Sequence, residues 1–295
     1  MNSCNPAIRY NATVSRQWVS GSGVDLSDIA ELRRLREAQP DLASAIDLQI
    51  ELVKLERRVR ARVPLPALAF DPERVQAQMA AGQPLLRFSD LPLSWSDLRF
   101  LFRSVAELMK RHEALDEADA RLAEALAREA NRLEALVIQW FTTAVEPASA
   151  APPPETAGLE PVVQMAMRPF LTRCAEVCSR LDLSAWTRGC CPLCGGEPEF
   201  GAITPSAERL LVCGRCLTRW RFDALTCPFC GNDDRARITS FASRDGLYRI
   251  SACDVCRRYL KAFDGRHASR PLIFDVDTIA TLPLDAAAIQ RGYQS

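Results

Sequence analysis

The sequence predicts an α+β fold: an N-terminal all-α helical bundle followed by two tandem β modules, each built around four cysteines. Three observations carry this. Apolar residues recur near a period of 3.6 through the first two thirds of the chain. Residues 146–158, EPASAAPPPETAG, lack any period and stack three prolines. Four Cys-x-x-Cys pairs then fall between residues 191 and 256, separated by β-prone runs. With 295 residues, 48% of them apolar, the chain can bury a real core and form about two domains. The expected boundaries are 1–186 for a helical domain with its linker at 146–158, then 187–225 and 226–275 for the two modules, and 276–295 for a C-terminal segment.

The helices follow from local signals. DLSDIAELRRLREAQ stops at Pro40, and DLASAIDLQIELVKLERRVRARV resumes with Leu42, Ile46, Ile50, Val53 and Leu55 near one face. DPERVQAQMAAG has proline in its first turn and glycine just past its end, the usual asymmetry of a short helix. LSWSDLRFLFRSVAELMKRH follows, with Ser94 or Ser96 as cap. Residues 116–145 read as the longest single helix. The prolines of 146–158 forbid helix and favour an extended, exposed linker. Residues 160–186 read as one more helix, bent or begun again at Pro169. The apolar stripes are the ordinary signature of packed helices.

Charge and composition narrow the function. Lys plus Arg equals Asp plus Glu at 37 each, so no global field attracts nucleic acid or an anionic membrane. The N-terminal stretch lacks the apolar core of a signal peptide, and no run reaches the roughly 18 apolar residues of a membrane span. The expectation is a cytoplasmic chain without membrane insertion, where paired cysteines read as metal ligands or redox groups before disulfides. There is no phosphate-binding glycine loop, no Gly-x-Ser-x-Gly elbow, and no His/Asp pair beside a nucleophile. His112 reads as a solvated helix cap and His267 as a loop residue. Cys174 and Cys178 share a helical face and read as core.

The Cys-x-x-Cys pairs carry the chemistry. Each lets two thiolates and nearby amides converge on one ion, and two pairs make a tetrahedral sulfur site. An internal repeat argues the pairing. CPLCGG is followed by RLLVC and CLTRWRF; CPFCGN is followed by LYRISAC and CRRYLKAF. One site then takes Cys191, Cys194, Cys213 and Cys216, the other Cys227, Cys230, Cys253 and Cys256. Interleaved pairing would leave the repeat unexplained. Four thiolates without histidine suit zinc, as in a zinc ribbon, or a single iron, as in rubredoxin. Such ions also serve simply as staples for a β unit too small to fold alone. Cys190 is an extra thiol beside the first ligand, and Cys4 is uninformative.

The order CPLCGG, LVCGRCLTRW, CPFCGN, SACDVCRRYLK and DVDTIATLPLDAAAIQRGY, following a helical domain and a linker, resembles the FdhE family of formate dehydrogenase accessory proteins. Its specific part is residues 190–293. The resemblance implies a cytoplasmic assembly factor, not an enzyme, that binds the catalytic subunit of a respiratory, molybdenum-dependent formate dehydrogenase before export. It also implies rubredoxin-like iron in each module, so of the two metal ions expected, iron is favoured over zinc. Cys174, Cys178 and Cys190 match no part of the family's motif.

A closed four-sulfur site has no open position for a substrate, which favours a client-binding protein over a catalyst. Arg219, Trp220, Arg258 and Tyr259 are candidate exposed partner contacts, of residue types enriched in interface hot spots, and equally fit strand packing. One alternative is a nucleic-acid-binding ribbon protein, using Trp220, Phe222, Tyr248 and Tyr259 among arginines. Against it, Glu197, Glu199, Asp233 and Asp234 are scattered through the same stretch, so nucleic acid is a disfavoured partner. Another is an iron-based electron carrier or redox sensor. Self-association is left open.

Overall fold

The computed structural model describes residues 27–145 and 154–294. Cys4 and residues 146–153 of the proline-rich segment lie outside these described residues.

Seven helices form the first part among the described residues. α1 (Ser27–Ala38) ends before Pro40, whose ring disfavours helical backbone at Gln39. α2 (Ala43–Arg60) buries Ile46, Ile50 and Val53 as its spacing requires. α3 (Pro72–Ala81) starts at Asp71, whose carboxylate accepts the Glu73 N–H, and stops at Gly82 in the left-handed region, φ 66°. α4 (Trp95–Arg111) is capped by Ser94, which accepts the Asp97 N–H.

Residues 116–145 depart from the single helix expected. They form α5 (Glu117–Arg128) and α6 (Ala130–Val145), separated at Glu129, where φ −103° and ψ 90° leave the helical region. The Glu129 carbonyl accepts the first N–H groups of α6, from Arg132 and Leu133. The break lets Leu126 and Ala127 on one side and Leu133, Leu136 and Val137 on the other all reach the core. Neither propensity nor period signals it, because tertiary packing decides it. α7 (Glu160–Cys178) runs through Pro169 as one helix, without a restart. Before it, Pro154–Leu159 coils into a 3-10 turn, so this part of the expected linker is not extended. α7 is buried on nearly every side, from Val162 to Cys178, and packs between α2 and α4. A helix buried on nearly every side belongs at the centre of a bundle.

The cysteine region forms β1 (Pro198–Ile203), β2 (Arg209–Cys213), β3 (Arg219–Arg221), β4 (Ile238–Ala242), β5 (Tyr248–Cys253) and β6 (Tyr259–Asp264). Each module is an antiparallel meander, matching the α+β class and the repeat. The two meanders are fused into one six-stranded sheet, in the order β3-β2-β1-β6-β5-β4. The seam is the parallel pairing of β1 with β6, from Phe200 opposite Lys261 to Ile203 opposite Asp264. Alternation places Leu211 and Cys213 toward the helical core and Leu210 and Val212 toward Phe200, Phe263 and Phe274 on the other face.

The chain closes with α8 (Phe274–Ala280) and α9 (Leu282–Gln290). Val276 joins Leu32, Ile46 and Ile50, tying the C-terminal segment to α1 and α2. Asp277, wholly buried, locks this return. Its Oδ2 accepts the Ile273 N–H at 2.7 Å and Arg270 Nη1 at 3.0 Å, and its Oδ1 accepts the Tyr248 hydroxyl at 2.7 Å. Asp277→Ala is expected to lower stability by about 3–5 kcal/mol, because it strands a partly buried arginine. Lys110→Ala, which breaks an exposed pair with Glu117, should cost under about 1 kcal/mol. Urea unfolding of the two variants compares them.

Candidate metal centres

The four Cys-x-x-Cys turns share one backbone geometry. In each, the first cysteine's carbonyl accepts the N–H of the residue four positions on: Gly195, Leu217, Gly231 and Arg257. That residue is left-handed in every case, with φ 72°, 60°, 73° and 59°. The first cysteine's own N–H reaches the carbonyl five residues on, at Gly196, Thr218, Asn232 and Arg258. Leu217 and Arg257 carry side chains where glycine is relaxed, a cost of roughly 1–2 kcal/mol each. The glycines in CPLCGG and CPFCGN are therefore conformational.

The turns bring the sulfurs together as the repeat predicts. Sγ of Cys191 lies 3.5 Å from that of Cys216, and Sγ of Cys194 lies 3.5 Å from Cys213 and 3.6 Å from Cys216. In the second set Cys227–Cys256 and Cys230–Cys253 are each 3.7 Å apart. Within each set all four sulfurs lie within 4.8 Å of one another. A disulfide would need about 2.05 Å. A tetrahedron with metal–sulfur bonds of about 2.3 Å has edges of about 3.8 Å, so both sets fit one four-coordinate ion. The donor set is all sulfur and suits a thiophilic ion.

Burial and close approach couple the thiols of the first set. Burial, and then the neighbouring thiols, push Cys191 well above the ordinary thiol range. Burial acts the same way on Cys213, but hydrogen bonds from Cys191, Cys194 and Cys216 hold it well below that range. A divalent ion held by these sulfurs would favour their deprotonated form.

The bundle packs directly onto this first set. The N–H groups of Leu85 and Leu86 donate to the carbonyls of Pro192 and Leu193, at 2.9 and 2.8 Å. Arg215 stacks 3.8 Å from the Trp140 ring and donates to the Trp140 carbonyl at 3.0 Å. Trp220 Nε1 donates to the Arg188 carbonyl at 3.1 Å, and Trp186 Nε1 to that of Cys190 at 2.8 Å.

A buried ionic cluster that no sequence motif marks lies at the same junction. Arg168, 1% exposed on α7, donates to the Gly214 carbonyl at 3.1 Å and lies 3.9 Å from Glu199 of β1 and 3.6 Å from Asp275 of α8. Gln164 and Gln49 donate to these two carboxylates, each at 3.0 Å. Glu56 of α2 completes the cluster. Burial pushes its carboxyl up to about 7, against the pull of Arg168. An arginine inside the apolar run MAMRPFL was the one available signal.

The partner contacts expected to be exposed are mostly interior. Arg219, Trp220 and Tyr259 are 8%, 2% and 4% exposed. Arg219 donates toward the Leu272 carbonyl, and the Tyr259 hydroxyl donates to Asp285 at 2.7 Å. Arg258 forms a two-pronged pair with Glu197, both bonds 2.7 Å, and stacks 3.7 Å from Phe229. Alternation along β3 and β6 turns these residues toward neighbouring layers. His112 caps α4 through its backbone, but its ring is half-buried against Glu51 at 3.1 Å instead of solvated. His267 lies in a loop, as expected. Cys174 and Cys178 are buried core thiols, each pushed up to about 12 by burial.

No family model matches the chain. It is similar to the protein named FdhE homolog of Aquifex aeolicus (strain VF5), at 20% identity over 264 residues that span 88% of each chain. Its fold is similar to the crystal structure of the FdhE protein from Pseudomonas aeruginosa, with a TM-score of 0.56 and 24% identity, covering 90% of this chain and 91% of that one. These likenesses bear out the resemblance to the FdhE family drawn from the cysteine segments.

Two outcomes are expected. Replacing Cys191 and Cys194 together by serine should remove about one equivalent of metal, read by elemental analysis. Glu56 holds its proton in the folded state up to about 7, well above its ordinary 4.5. Its contribution to stability is therefore present below 4.5 and lost as pH rises through about 7. Melting temperatures across this window should fall more steeply with pH for the parent chain than for Glu56→Gln.

Proposed function

We propose that this chain is a cytoplasmic maturation factor for formate dehydrogenase. It holds two metal ions, with iron favoured, and binds the catalytic subunit of a respiratory, molybdenum-dependent formate dehydrogenase before that subunit is exported. One observation carries the reading: two closed all-sulfur sets sit in a fold similar to that of an FdhE protein. Cys191, Cys194, Cys213 and Cys216 would hold one ion, and Cys227, Cys230, Cys253 and Cys256 the other.

The chemistry of these sets supports binding over catalysis. Four protein sulfurs fill a tetrahedral ion's positions, so neither a Lewis-acid step nor an activated water has a place there. An iron ion held by such a set would supply one-electron chemistry, with the four cysteines of each set as its ligands. No described helix is long and apolar enough to cross a membrane, which agrees with action on a client before its export. The nucleic-acid alternative loses much of its ground, because the stacking faces it needs on Trp220, Tyr248 and Tyr259 are buried.

The test is co-purification. Tagged full-length chain, isolated without oxygen from cells making formate dehydrogenase, should retain the catalytic subunit at an ionic strength that removes nucleic acid. Retention of nucleic acid with steep salt dependence, and no subunit, would overturn the proposal.

A further inference from the structure

We propose that the two four-cysteine sets divide their labour: Cys191, Cys194, Cys213 and Cys216 keep their ion as part of the core, while Cys227, Cys230, Cys253 and Cys256 form an exchange site that opens at Cys230 to thiolate ligands from solvent. This rests on the reading that both sets hold metal, and goes beyond it by giving them different roles.

The repeat allows a comparison position by position. All four cysteines of the first set are buried, at 0%, 0%, 0% and 1% exposure, within the same apolar cluster as the bundle. In the second set Cys227 and Cys253 are buried, Cys256 is half-buried and Cys230 is exposed. Between the cysteines of the first turn, Leu193 is 1% exposed; its counterpart Phe229 is only partly covered. Between those of the second turn, Arg215 stacks on Trp140; its counterpart Val255 is 46% exposed.

The matching glycines report the same difference through their surroundings. A Cβ on Gly195 would come within 2.8 Å of the Ala144 carbonyl oxygen and 3.2 Å of Pro84. A Cβ on Gly231, at the same left-handed φ, would meet nothing within 4 Å. The bundle thus seals one set and leaves the other open on the side of Cys230.

Burial decides how a ligand can be replaced. With an ion held at the exposed set, an incoming thiol that gave up its proton would take the place of Cys230, and the released Cys230 thiolate would take up a proton. No oxidation state changes, so no oxidant or reductant is required. Cys227 and Cys253 keep their grip from the inner side. At the sealed set the same substitution first requires parting Leu85 and Leu86 from Pro192 and Leu193 and unstacking Arg215, which is local unfolding of the core. The second set is therefore suited to passing a thiophilic ion to or from a thiolate-bearing partner.

The experiment uses the full chain loaded with zinc and mixed with excess 4-(2-pyridylazo)resorcinol, with zinc release followed by absorbance. Two equivalents should leave in two phases separated by at least about tenfold in rate, the slow one set by opening of the core. In Cys230→Ser the slow equivalent should keep its rate, and the fast one should be quicker still or already lost. Release of both equivalents in a single phase would overturn the division of labour while leaving the metal reading intact. So would a fast phase unchanged in Cys230→Ser. A chain that takes up no zinc, or one equivalent, would overturn the metal reading and this proposal together.

Discussion

Four sulfurs that must reach one common point, buried where a helical bundle meets a sheet, constrain almost everything else in this molecule. Cys191 and Cys194 enter from a turn whose carbonyls accept the N–H groups of Leu85 and Leu86. Cys213 and Cys216 enter from the end of β2, with Arg215 fixed on Trp140. Moving either turn by a fraction of an ångström would disturb a close-packed interior that contains α4, α6 and α7. The site is therefore held by the bundle as much as by its own loops, unlike a free-standing ribbon stapled only by its metal.

Buried charge sharpens the same junction. Arg168 on the central helix meets Gly214 within the second turn, Glu199 on β1 and Asp275 on α8, so one guanidinium ties three separate stretches of chain. Such groups are costly to desolvate, and removing one partner leaves the other buried without its charge partner. Asp277, two residues from Asp275, does the equivalent for the return of α8 over the sheet. The segment DVDTIATLPLD thus contributes Asp275, Asp277 and Asp285 to internal pairing.

Local rules made much of this readable in the sequence. Asp71, Ser94 and Gly82 act at helix ends because their side chains, or the lack of one, satisfy the terminal backbone. The cysteine pairing followed from the repeat, since equivalent turns make equivalent sites. What stayed hidden depends on partners distant in the chain. The parallel seam of β1 and β6 joins residues some sixty positions apart, and nothing in either strand announces it. The break at Glu129 reflects which faces the bundle must cover. Trp220 and Tyr259 looked like surface anchors because a short strand does not reveal which of its faces a second layer will bury. The unequal exposure of the two cysteine sets is of the same kind: the repeats are alike in sequence, and only the bundle tells them apart.

X-ray absorption at the edge of the metal in anaerobically purified chain reads directly whether the two all-sulfur sets hold ions. The expected result is four sulfur ligands at about 2.3 Å, no nitrogen or oxygen among the nearest neighbours, and about two ions per chain. Light-atom ligands at the metal, or a folded chain that carries no metal at all, would contradict it.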